Sequence, residues 1–134
     1  MLVGLPDGHT APLVGDALIA AFSRLPAPMR RTLTWDQGHE MAQHLRFTKQ
    51  TGVGVYFCDP KSPWQRGSNE NANGLLRQYF PKGTDLTVWT KQELDVVAAE
   101  LNDRPRLCLN DVTPAQLMQR WGRRLARTPI RLDP

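Results

Sequence analysis

The chain has 134 residues, 40% hydrophobic and 22% charged, which suits one folded domain with a modest core and excludes a disordered chain. Its formal charge of +4 resides in residues 120–134, where Arg120, Arg123, Arg124, Arg127 and Arg131 oppose Asp133 alone. The remaining 119 residues balance, so the basic character belongs to an Arg-rich tail and argues for no global polyanion-binding surface.

"LVGL", residues 2–5, is a short apolar run closed by the turn signal Pro6-Asp7-Gly8, and is expected as a strand. From Pro12 to Leu25 the positions Leu13, Val14, Ala17, Leu18, Ala21, Phe22 and Leu25 follow the helical period. Thr10 is placed to cap this helix, and Pro26 and Pro28 end it. "TLTW", 32–35, predicts a strand stopped by Asp36-Gln37-Gly38; a helix over about 39–50 should end at Gly52, and "VGVYF", 53–57, is the next strand. Short strands alternating with helices argue for parallel βαβ units.

After the loop 58–67 a helix is expected from Ser68 to Phe80, with Ala72, Leu75, Leu76, Tyr79 and Phe80 along its apolar edge. Thr90 and Glu93 form a capping-box signature for a helix carrying Leu94, Val97, Ala98 and Leu101, which must stop near Pro105. The last helix opens with Thr113-Pro114-Ala115-Gln116, proline taking the favoured first position. Cys58 and Cys108 lack any CxxC partner or clustered His, so neither a structural zinc nor a disulfide framework is suggested. The amino terminus turns polar too early for a signal peptide, and no apolar run spans a bilayer, so the expected location is the cytoplasm.

Two acids stand out. Asp36 follows a strand directly, and Glu70 sits in the first turn of a helix after the next strand, with 33 residues between them. Parallel neighbours end on one sheet edge, where α/β folds place their sites. Two carboxylates converging there suit magnesium or manganese, hard cations that prefer oxygen ligands. Taken singly, Asp36 reads equally as a turn former and Glu70 as a helix-dipole partner. Around Glu70 stand Trp64, Gln65, Arg66, Asn69, Asn73, Arg77 and Lys82, the cations, amides and aromatic ring that a phosphodiester strand requires. Asp59 is an outside candidate ligand. "HEMAQH", 39–44, imitates a zinc-protease helix, but His39 and His44 are five apart, about 140° around a helix, and read as solvent-facing.

"TWDQGHEM", "VYFCDPKSPWQRGSNENANGLLRQYFPKGTDL" and "LNDRPR" resemble the catalytic domain of DDE transposases, specifically bacterial insertion sequences of the IS-thirty family. The likeness runs from residue 1 to about 119 and is densest between Thr34 and Asp85. The resemblance implies a ribonuclease H-like α/β fold, shared with retroviral integrases. It also implies cleavage and joining of insertion-sequence DNA ends with two divalent metals, Mg2+ or Mn2+, in a bacterial cytoplasm. Asp36 matches the second acid of the triad and Glu70 the third. The first acid belongs to a strand upstream of the segment matching Met1, so the expected fold is a truncated one. Its first two strands are missing, residues 1–119 form a partial catalytic core, and residues 120–134 form the tail. Such a chain is expected to be inactive alone, and poorly folded or aggregating because its central sheet edge lies open. Two alternatives remain: a non-catalytic remnant that binds DNA or intact transposase as an inhibitor, and a metal-dependent nuclease that recruits Asp59. Its partners would then be insertion-sequence ends, target DNA, and further transposase copies.

Overall fold

The computed structural model describes the backbone of residues 1–36 and 38–127. Residues 2–91 form one compact unit; Met1 and the described residues from 92 onward group as a second.

In the first unit, Gly8 N–H donates to Leu5 O at 3.3 Å and Gly8 takes φ +115°, the expected turn after the apolar run. Residues 2–5 form no strand, contrary to the sequence reading, and Val3 and Leu5 are exposed. A β-strand is stabilised by pairing, and no described strand lies beside this run. Helix α1 spans Ala11–Ser23. Thr10 occupies its N-cap position but makes no side-chain cap bond; Pro12 stands in the first turn, where its missing N–H costs no helical bond. The helix ends before Pro26, as expected.

Strand β1 is Thr32–Trp35 and strand β2 is Gly54–Phe57; they pair in parallel, from Thr32↔Gly54 to Trp35↔Phe57. The α/β class and the parallel crossover predicted from sequence are thus present, in a sheet of two described strands. Between them the expected single helix is divided. His39–Met41 is a 3-10 turn, and helix α2 spans His44–Thr51. Met41 and Phe47 are both buried in one cluster, although six residues along a continuous α-helix would set them about 120° apart. The break at Ala42 and Gln43 lets both side chains enter the same core. His44 Nδ1 lies 3.1 Å from Met41 O, and its ring meets Phe57 edge-on at 5.0 Å. His44 is therefore half-buried packing rather than the solvent-facing residue expected, whereas His39 is exposed. Gly52, with φ +74°, closes α2 in the left-handed conformation, as read from sequence.

The core combines Val14 and Leu18 of α1 with Met41, Phe47 and Val53, and Leu33, Trp35 and Val55 pack onto it from the sheet. Phe22 and Phe47 meet edge-to-face at 5.3 Å. Arg46 reaches across to pair with Asp16, joining α2 to α1. Both helices cover one sheet face; on the other, Thr32, Thr34 and Tyr56 are exposed.

Helix α3 spans Gly67–Leu76, shorter than the 68–80 expected, and continues as turns in which Arg77 N–H still donates to Asn73 O. Phe80 is buried and meets Trp89 edge-on at 4.8 Å. In the second unit, helix α4 (Lys91–Asn102) buries Val97 and Leu101, and helix α5 spans Pro114–Arg127. Its capping box is formed in both directions: Gln116 N–H donates to Thr113 Oγ1, and Thr113 N–H to Gln116 Oε1, each at 3.1 Å. The Arg-rich segment is therefore helical through residue 127, with Arg120, Arg123 and Arg124 exposed; Arg131 and Asp133 lie outside the described residues.

Candidate metal and nucleic-acid site

Strand register decides where the acids emerge. Trp35 and Phe57 end their strands side by side, and Cys58 N–H donates to Trp35 O at 2.8 Å, extending the ladder by one step. Asp36 and the segment that begins at Cys58 therefore leave the sheet at one edge, its carboxyl end, where open α/β sheets bind ligands. Asp36 is half-buried. Its neighbour Gln37 lies outside the described residues.

Glu70 is the first-turn acid of α3, and its side chain is exposed. A carboxylate in a helix's first turn is favoured by the positive end of the helix dipole. Pro63–Arg66 form a 3-10 turn that runs directly into α3, so the loop leaving the sheet edge delivers Glu70 within a single helical turn. From Ser68 to Gly74 every residue of α3 is exposed; among its residues of described burial only Leu75 and Leu76 are half-buried. A helix with so little apolar cover offers a polar surface rather than a packing face.

The expected nucleic-acid contacts divide accordingly. Trp64 is 75% exposed, an unusual placement for the largest apolar side chain, and Asn69, Asn73, Arg77 and Lys82 are exposed around it in sequence. The side chain of Arg66 lies outside the described residues. Gln65 is different, because both ends of its amide are committed internally. Its Oε1 accepts the Asp59 N–H and its Nε2 donates to Asp59 Oδ2, each at 2.8 Å. Residue patterning pointed to Gln65 as a surface amide and to Asp59 as a spare carboxylate; their mutual bonding carries no periodic signal. The Asp-Pro and Ser-Pro steps bracketing Lys61 were the available hint of a structured loop.

Among the described residues no group of three or more His, Cys, Asp or Glu side chains is placed to hold a metal ion. The carboxylates at Asp36 and Glu70 are the right donor type for Mg2+ or Mn2+, but two carboxylates leave most of an oxygen coordination shell to water, substrate or a further acid.

Relatives define the class. The chain is 57% identical over 113 residues to the transposase InsI for insertion sequence element IS30A from Escherichia coli, a match covering 84% of this chain and 30% of that protein. It is 53% identical over 118 residues to the transposase for insertion sequence element IS1086 from Cupriavidus metallidurans, covering 88% and 34%. The transposase for insertion sequence element IS4351 from Bacteroides fragilis is 43% identical over 83 residues, covering 62% and 26%. No protein-family model matches the chain, and no solved structure does. The class is that of insertion-sequence transposases. Within it, the chain belongs to the IS-thirty family, and it spans about a third of the length of the first two of these relatives and about a quarter of the third.

Proposed function

We propose that this chain is part of a DDE transposase catalytic core that cleaves and joins insertion-sequence DNA ends by metal-dependent phosphoryl transfer. Asp36 and Glu70 are its divalent-metal ligands. The observation that carries the reading is the in-register parallel pair β1–β2, whose shared end releases both Asp36 and the loop leading to Glu70. Identity to IS-thirty family transposases over most of the chain supports it. When bound, the ions would activate a water or DNA hydroxyl and stabilise the leaving oxygen. The protein's part is to hold two carboxylates at fixed positions and to align the strand. Asn69, Asn73, Arg77 and Lys82 supply phosphate contacts, and Trp64 supplies a ring on which a base or ribose stacks. The remainder of a ribonuclease H-like sheet would contribute the third acid.

Because two of three acids are present, the 134 residues alone are inactive. A strand-transfer assay with element ends and magnesium tests this: no product is expected. Product that disappears on Glu70→Gln would overturn the inactivity while supporting the role of Glu70. A second reading, a non-catalytic remnant that binds DNA or pairs with intact transposase, is favoured by the outer edge of β1, which has no described strand beside it. It requires that Asp36→Asn combined with Glu70→Gln leave binding unchanged.

A further inference from the structure

We propose that Gln65 is a positioning residue whose amide clamps the β2–α3 loop shut against Asp59 and thereby fixes Glu70 at the carboxyl edge of the sheet. The proposal rests on the reading of Glu70 as a metal ligand and adds to it the part that sets its position.

The chemistry of the clamp is complementary in both directions. A carboxamide has one acceptor end and one donor end; Asp59 presents an N–H to the first and a carboxylate oxygen to the second, each at 2.8 Å. Turning the amide over would set donor against donor and acceptor against acceptor, so the two partners fix its orientation. Inside the ring so formed, Ser62 N–H donates to Asp59 O at 3.3 Å and Gln65 N–H to Ser62 O at 3.1 Å. Lys61 takes φ +57°, a left-handed conformation that is costly for a residue with a Cβ and persists when its surroundings enforce it.

The clamp closes a continuous path between the two acids. Asp36 adjoins Trp35, whose carbonyl accepts from Cys58; Cys58 adjoins Asp59, which Gln65 grips; and Gln65 lies in the turn that becomes α3 and carries Glu70. Only two hydrogen-bonded links separate one carboxylate's backbone from the other's. Gln65 thus works on the protein rather than on DNA, and Asp59 Oδ2 is occupied by an amide.

Hydrogen exchange of the peptide covering residues 58–66, measured at low micromolar concentration, tests the clamp, and Mn2+ titration of the same samples tests what it positions. Asp59→Asn keeps both the N–H and a carbonyl oxygen, so the loop should stay protected and Mn2+ affinity unchanged. Gln65→Ala and Asp59→Ala should speed loop exchange roughly tenfold, and Gln65→Ala should weaken Mn2+ binding by a similar factor. A loop that exchanges freely in the unaltered chain, or is unaffected by Gln65→Ala, would overturn the clamp. Loss of loop protection with unchanged Mn2+ affinity would overturn its positioning role. An unaltered chain that binds no Mn2+ would overturn the metal reading and the positioning role with it, while loop exchange would still report on the clamp itself.

Discussion

One oxygen of Asp85 accepts both the Thr87 hydroxyl at 2.6 Å and the Thr87 N–H at 2.9 Å. The hydroxyl bond first and the backbone bond second hold this carboxyl below its ordinary value, with burial the least of the three and acting the other way. Because the folded-state value is depressed, the ionised form contributes stability that is present above the carboxyl's ordinary value. That contribution is lost as pH falls through the depressed value. An NMR titration should place Asp85 below the usual carboxylate range, and Thr87→Val should return it part of the way, since the N–H bond survives. A normal titration in the unaltered chain would contradict this account. The same residue-level chemistry explains which parts of the candidate site sequence reading missed. Asp36 and Glu70 drew notice in the sequence because one directly follows a strand and the other opens a helix, and they stand at those places, after β1 and in the first turn of α3. The grip of Gln65 on Asp59 gave no such signal, because it is made across a loop of irregular backbone in which Lys61 takes positive φ.

At the scale of elements, local signals carried further than periodicity. Residues 32–35 and 53–57 were recognisable as strands from β-branched and aromatic residues bounded by turn formers, and strands are found at Thr32–Trp35 and Gly54–Phe57. The Thr113 capping box is formed as read. What failed was whatever depends on partners beyond the segment. "LVGL" has strand composition without a described strand to pair with, and the 39–50 helix divides because Met41 and Phe47 share one core. Gly52 is the sharpest local signal, and it yields a quantitative expectation. A Cβ there would meet nothing within 4 Å, so only the backbone at φ +74° opposes a side chain. Gly52→Ala should therefore destabilise the chain by about 1 kcal/mol, read from chemical denaturation. No change would mean that α2 does not end in the left-handed conformation.

On the scale of the whole molecule, a parallel sheet is ordinarily covered on both faces and flanked on both sides. Here α1 and α2 cover one face, Thr32, Thr34 and Tyr56 lie exposed on the other, and the outer edge of β1 has no described neighbour. Such an edge is a template for pairing with another chain. The isolated 134 residues should therefore self-associate as concentration rises, which light scattering over a dilution series would detect. A monodisperse monomer with a sharp thermal transition at high concentration would contradict this expectation. Dilution favours the monomer, which is where the site is best interrogated.

The claim on which the function depends is that Asp36 and Glu70 hold the same ion. Mn2+ titration of the unaltered chain, Asp36→Asn, Glu70→Gln and the double variant tests it most directly. If the two carboxylates share an ion, either change should lower affinity by roughly tenfold or more, and the double variant should lose much less than the product of the single losses. Affinities unchanged by either substitution, or losses that multiply as they would for independent sites, would contradict it.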